Sequence, residues 1–267
     1  MKNKQQILKT LLIAGSLAGA FHAEAASYKR FWRGYTHLDL SSQQFVADVN
    51  NKIIPATREL FAKPSGLQSY QPVISNMPST AQSSLVADEF ALLQYTSEAA
   101  YRSFRETPEG VAYGDLHWEM FDRATSKSAV VEPYLGAVAV THAYDLLAQD
   151  IDWKKAHTSF TIHTRLAGIS TADFLEAVKN DLDQTRDYAP GYGLQALIVL
   201  VMDDHVVVYE AWDKESSRLE YHETLDADMP SGDLMLGDVS ESPMSVSLYQ
   251  RGEAPIWPGQ GVKIFGR

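Results

Sequence analysis

The stretch Phe31-Trp32-Arg33-Gly34-Tyr35-Thr36-His37-Leu38-Asp39-Leu40 runs directly into Ser41-Ser42-Gln43-Gln44-Phe45. The first part has the composition of a strand, and the second reads as a helix start. Alternate side chains of a strand share a face. Arg33, Tyr35, His37 and Asp39 are therefore predicted on one side, and Trp32, Thr36, Leu38 and Leu40 on the other. Ser41 and Gln44 form a capping box, whose side chains satisfy amide donors at the helix start. The pattern recurs 129 residues later as Phe160-Thr161-Ile162-His163-Thr164-Arg165-Leu166, followed by Ser170-Thr171-Ala172-Asp173-Phe174.

Downstream of the first copy, Phe45, Val49 and Ile53 recur at the spacing of an apolar helical stripe. Pro55 is expected to bend or divide this helix. Residues 67–74 read as a strand that Pro72 places at an edge or at its end. A polar loop at 76–84 precedes a third strand at 88–96. Ser97-Glu98 opens a helical region interrupted at Pro108, and residues 128–134 form a fourth strand. The order βαββαβ is that of a ferredoxin-like unit. Residues 136–157 link onward, with a helical pattern at Tyr144-Asp145-Leu146-Leu147. The order then returns. Phe174, Val178 and Leu182 match Phe45, Val49 and Ile53, and Gly193-Leu194-Gln195 matches Gly66-Leu67-Gln68. Strands at 196–202 and 205–212, a helix carrying Leu219, Tyr221 and His222, and a strand at 245–249 complete it. This common order predicts an internal duplication, with units at 26–135 and 158–251. In the tail at 252–267, Ile256, Trp257 and Phe265 are expected to lie against the body.

Residues 1–25 are read as a secretory signal: Lys2, Lys4 and Lys9, an apolar run at 11–21, then Ala23-Glu24-Ala25. The run is too short to span a bilayer, so a periplasmic or secreted chain without membrane insertion after cleavage is expected. The chain has no cysteine, which excludes a thiolate nucleophile, a thiolate metal site and covalent c-type haem. The formal charge of −11 becomes −13 when the leader removes three Lys and one Glu. Such a field disfavours nucleic acid and anionic lipid as partners. No His-x-His or His-Glu-x-x-His spacing occurs, and no metal site is predicted.

Tyr95-Thr96-Ser97-Glu98-Ala99-Ala100-Tyr101, continuing through Phe104, Thr107-Pro108-Glu109 and Ala112-Tyr113, resembles the dimeric α+β barrel superfamily. That superfamily includes the antibiotic-biosynthesis monooxygenases. The second copy reads Tyr209-Glu210-Ala211-Trp212, then Leu219 and His222. Where many members carry His on the first copy's helix, this chain has Phe104 and Glu109. The resemblance implies an α+β fold in which two tandem ferredoxin-like βαββαβ units form one α+β barrel. It also implies a cavity between the two sheets.

Arg33, Tyr35 and His37 suit such a cavity, with His163 and Arg165 taking that role in the second copy. Arg grips a carboxylate, His exchanges protons near neutrality, and Tyr donates. His117 and Trp118, within Tyr113-Gly114-Asp115-Leu116-His117-Trp118-Glu119, are expected to line a flat apolar pocket, where His117 could ligate haem iron. His222 resembles the superfamily's recurring His. The expected function is an exported enzyme acting on a small organic acid, sugar-acid or aromatic substrate by His/Tyr acid-base chemistry. It would be a lyase or dehydratase, or a cofactor-independent monooxygenase. A periplasmic haem- or pigment-binding protein and a non-catalytic interaction scaffold are the alternatives. No cofactor is predicted, haem is left open, the partner is a small-molecule ligand, and oligomer formation is left open.

Overall fold

A computed structural model describes residues 27–74, 87–152, 155–165, 168–228 and 236–237. The leader, most of the polar loop, the strand expected at 245–249 and the tail lie outside these residues. The first unit holds β1 (Tyr28–Gly34), α1 (Ser42–Asp48), a π-helical turn (Val49–Ile53) and α2 (Ile54–Phe61). It continues with β2 (Leu67–Ile74), β3 (Glu89–Tyr95), α3 (Glu98–Arg105), α4 (Pro108–Trp118) and β4 (Lys127–Pro133). After β5 (His142–Asp145) the second unit holds β6 (His157–Arg165), α5 (Thr171–Tyr192), β7 (Leu194–Val201), β8 (His205–Trp212), α6 (Glu215–Asp228) and β9 (Leu236–Gly237). No described helix is long and apolar enough to cross a membrane.

The strands form one sheet in the order β2-β3-β1-β4-β5-β7-β8-β6-β9. In each unit the first strand lies antiparallel between the third and fourth, with the second outside the third. That is the ferredoxin-like arrangement. The chain is α+β, two such units in tandem whose sheets curl into one nearly closed barrel. Pro72 sits on β2, the edge strand of the sheet among the described residues, as the sequence places it.

The segment expected to be helical at 144–147 is instead the strand that joins the two sheets. β5 runs parallel to β4 and antiparallel to β7. Its side chains alternate: Ala143 enters the barrel interior and Tyr144 enters the helix layer. A short apolar run fits either period, and here the neighbouring strand edges decide it.

The barrel interior is packed with side chains. Phe31, Phe90, Leu92, Phe160, Ile162, Ile198, Val207 and Tyr209 form one buried cluster drawn from both units. The Phe90 and Phe160 rings meet across it at 5.1 Å. Because the central strands are covered on both faces, β7 reads as the continuous run Leu-Gln-Ala-Leu-Ile-Val-Leu-Val.

β1 stops at Gly34, short of the ten residues expected. A Cβ on Gly34 would lie 2.4 Å from Cε1 of the buried Phe121 ring. Beyond it the backbone leaves the ladder. Tyr35 N–H donates to Ser126 Oγ at 2.9 Å, and Thr36 N–H to Asp88 Oδ2 at 2.8 Å. Asp122 and His37 N–H groups donate to the Tyr35 and Met120 carbonyls. His37 and Asp39 are therefore not on the strand face that Phe31 and Arg33 share.

Serine hydroxyls cap both helix starts, while the Gln44 side chain, expected to complete a capping box, instead donates to Asp48 Oδ1 at 3.0 Å. Ser41 Oγ accepts from Gln44 N–H at 3.2 Å, and Ser170 Oγ from Asp173 N–H at 3.1 Å. Pro55 neither breaks nor ends its helix. The π-helical turn before it shifts the register, with Ile54 N–H reaching Val49 O, and Pro55 falls in the first turn of α2.

Candidate functional site

The outer face of the first unit's sheet carries Arg30 and Trp32 from β1, Tyr70 from β2, and Leu93 and Tyr95 from β3. Helices α3 and α4 cross it and contribute Tyr101, Phe104, Arg105, Tyr113, His117 and Trp118. Together they enclose a cavity of about 90 Å³. It opens where the helix layer divides into two apolar clusters. One is built on Phe45, Val49, Ile53, Tyr70 and Phe121, the other on Leu60, Leu67, Tyr95 and Phe104. By the measure in which one water needs ~10–15 Å³, the cavity holds on the order of six waters or a small ring system.

His117 is the one imidazole on this wall. Its Nδ1 lies 2.8 Å from the Tyr113 carbonyl. A carbonyl only accepts, so Nδ1 carries the proton and Nε2 keeps its lone pair. No described residue bonds to Nε2. Burial pushes the His117 pKa down to about 4, the Tyr113 carbonyl opposes this, and Arg105 adds to it. The ring is neutral at pH 7.

Tyr113 is held from the other side. The Thr57 hydroxyl donates to Ile53 O at 2.8 Å, so it accepts from the Tyr113 hydroxyl at 2.6 Å. The π-helical turn that supplies Ile53 thus anchors a pocket wall. Burial lifts the Tyr95 and Tyr113 phenols well above their ordinary range, so both stay protonated.

Trp32 closes the floor. Its indole N–H donates to Glu89 Oε2 at 3.0 Å, and the Tyr70 hydroxyl donates to Glu89 Oε1. Burial pushes the Glu89 carboxyl up to about 7 against these two hydrogen bonds. The Trp32 ring meets His117 edge-on at 6.0 Å and Trp118 at 5.9 Å.

Arg30 lies at the side. Nε and Nη2 donate to the Ser128 hydroxyl and carbonyl, both at 2.9 Å, and Nη1 donates to the Tyr28 hydroxyl at 2.8 Å. The guanidinium also stacks on Tyr101 at 4.8 Å.

The structure keeps Arg33 beside Tyr35 and separates this pair from the other residues that the alternation and repeat arguments group with them. Arg33 points into the barrel, where Nη1 meets Met202 Sδ at 3.2 Å, and Tyr35 packs at the edge of the interior cluster. His37 binds the Trp118 carbonyl through Nε2 at 3.1 Å. His163 and Arg165 are on the opposite face of the sheet from Arg33, because Phe160 and Ile162 fill the inward positions of β6. His163 contacts Thr161, and Arg165 Nη1 donates to Ile169 O at 2.6 Å. No shared inward-facing cavity unites these five.

His117 and Trp118 both line the pocket. His222 is elsewhere, 3.6 Å from the buried Glu210, which also accepts from Trp212 and Ser159. Burial pushes Glu210 up, but the His222 contact and these hydrogen bonds outweigh it and hold the carboxyl at about 2. Among the described residues no three His, Asp or Glu side chains form a metal-binding group.

Sequence reasoning passed over Arg30, Trp32, Tyr70 and Glu89. The signal for Trp32 was present, since it lay on the strand face predicted to meet the helices. Tyr95, Tyr101 and Tyr113 were noticed only as part of a family pattern.

No protein-family model matches the chain, and no curated protein matches it. Among solved structures, it is similar to a candidate monooxygenase from Lactobacillus acidophilus, at 9% identity over 80% of this chain and 90% of that one, TM-score 0.42. It is similar to an anthrone oxidase-like protein at 15% identity over 89% and 95%, TM-score 0.41. A candidate monooxygenase from Fusobacterium nucleatum gives 12% identity over 80% and 89%, TM-score 0.42. The barrel assignment rests on this chain's own strand order.

Proposed function

We propose that the chain is a cofactor-independent monooxygenase that oxidises a flat, enolisable or phenolic aromatic compound in the pocket beneath α3 and α4. One observation carries this reading: a neutral imidazole with an open Nε2 stands in a slot walled by Trp32, Tyr113 and Trp118. His117 Nε2 takes a proton from the substrate, and its Nδ1–H, tied to the Tyr113 carbonyl, fixes the tautomer that can do so. The resulting anion is delocalised over the rings. The protonated Tyr95 hydroxyl is available to donate to the oxyanion that develops.

Dioxygen is the oxidant. For a ring CH₂, one oxygen atom becomes the product carbonyl, and the other leaves as water with the two hydrogens. The substrate supplies all the electrons, so no reducing cofactor is required. That suits a chain whose residues 1–25 read as an export signal.

The test is oxygen uptake by purified protein with a panel of anthrone- and hydroquinone-type substrates. His117→Phe is expected to lower turnover by roughly 10²–10⁴-fold, the range for loss of a general base. Unchanged rates in His117→Phe and Tyr95→Phe would overturn the assignment.

A second reading is haem ligation, favoured by the same contact. An imidazole whose far N–H is fixed by a backbone carbonyl is oriented like a metal-bound histidine. His117 would be the ligand and Trp32 and Trp118 the flanking walls, and the haem would supply redox chemistry. Against it stands a cavity of about 90 Å³, too small for a porphyrin unless α3 and α4 move apart. A Soret shift on adding hemin, lost in His117→Ala, would replace the first reading with this one.

A further inference from the structure

We infer that the ligand of this pocket carries an anionic group, best matched by a carboxylate, and that Arg30 holds it with Arg105 as an outer cation. The inference rests on the small-molecule reading of the pocket but not on turnover.

Arg30 is half-buried, and its three hydrogen bonds go to neutral acceptors: the Ser128 hydroxyl, the Ser128 carbonyl and the Tyr28 hydroxyl. No carboxylate among the described residues pairs with it. A partly desolvated cation left in this state carries an electrostatic penalty that an arriving anion removes. The N–H groups not used by Ser128 and Tyr28 remain as donors for that anion. Their orientation is set in advance, since Ser128 grips one side of the guanidinium and Tyr101 stacks on its plane at 4.8 Å. A fixed planar fork of this kind suits a carboxylate.

Two further guanidinium groups lie over aromatic rings that line the pocket. Arg105 lies over the same Tyr101 ring at 6.0 Å, and Arg123 lies over Trp118 at 5.3 Å. Neither has a carboxylate partner among the described residues. Elsewhere Arg102 and Arg186 do pair with acids. The chain carries 34 acidic against 23 basic residues, so acceptors are plentiful. Three cations on pocket aromatics without one give the opening a local positive field against the net charge of the molecule.

The test uses the full-length mature protein and a matched ligand pair, 2-naphthoate and 2-naphthamide, with affinity read by calorimetry and by quenching of Trp fluorescence. The acid is expected to bind about 10- to 100-fold more tightly than the amide, the span of a charge-assisted contact. Raising salt should shrink that margin. Arg30→Gln is expected to erase the margin while naphthamide affinity stays within about threefold, and Arg30→Lys to keep part of it. Should Arg30→Gln fail to fold, the Arg105→Gln/Arg123→Gln double variant, at exposed positions, should still reduce the margin.

Equal affinities, a margin that survives Arg30→Gln, or no binding of either ligand would overturn the inference. Unchanged turnover in His117→Phe and Tyr95→Phe with the margin intact would overturn the oxygenase reading alone, so the two failures are distinguishable.

Discussion

Trp32 stands between a buried carboxyl and a half-buried imidazole that desolvation shifts in opposite directions. Its indole N–H reaches Glu89, and its ring edge faces His117. Burial favours the neutral form of each, which raises Glu89 from 4.5 to about 7 and lowers His117 from 6.5 to about 4. Between pH 4.5 and 7 the folded chain binds a proton at Glu89 that the unfolded chain does not, so this group removes stability as pH rises. Between pH 4 and 6.5 the unfolded chain binds a proton that His117 does not, so that group adds stability as pH rises. Each effect amounts to about 3 kcal/mol over its window, and they oppose each other where the windows overlap. The wild-type denaturation midpoint is therefore expected to be nearly flat from pH 5 to 6.5. In His117→Phe it should fall across this range, and in Glu89→Gln it should rise. Parallel profiles in all three proteins would refute the assignment. Turnover that needs an unprotonated Nε2 should fall as pH drops through about 4, and above that pH the His117 protonation state should no longer limit it.

The strand alternation that organised the sequence reading was sound as a rule and failed at two elements. On β1 it placed Arg33 and Tyr35 together and Trp32 opposite them, as the structure has them, but Gly34 ends the strand against Phe121, so His37 no longer obeys its period. On β6 the inward positions are Phe160 and Ile162, which leaves His163 one step out of phase with Arg33. A single step reverses the face of every side chain. Gly34→Ala is expected to destabilise by about 1–3 kcal/mol, because the buried Phe121 ring cannot retreat freely. A denaturation midpoint equal to wild type would contradict that packing. At the joining strand, Lys29 Nζ lies 2.7 Å from Asp145 Oδ2, both buried, with Asp150 at 3.2 Å. Asp145→Asn leaves a buried ammonium with only its more exposed partner. It should cost about 3 kcal/mol, at the low end for breaking a buried pair. Chemical denaturation measures this directly.

The two halves share one strand order yet differ in what fills the helix layer. In the second unit Phe174, Val178, Leu182, Trp212 and Tyr221 pack as a single cluster, with the Trp212 and Tyr221 rings 5.4 Å apart. In the first unit two clusters leave the cavity between them. Calorimetry with naphthoate is accordingly expected to give one equivalent per chain, and two would show that the second helix layer opens as well. The element order and the apolar stripes were legible in the sequence, because periods of 2.0 and about 3.6 residues are local properties of the chain. So were the helix caps, and so was the place of His117 and Trp118 on one short helix. Which face of the barrel holds the cavity was not local. It depends on Phe31, Phe90 and Phe160, from distant strands of both units, meeting in the interior and filling it. With the interior closed by packing among the described residues, the cavity lies on the Trp32 side of β1, and no spacing within one segment records that.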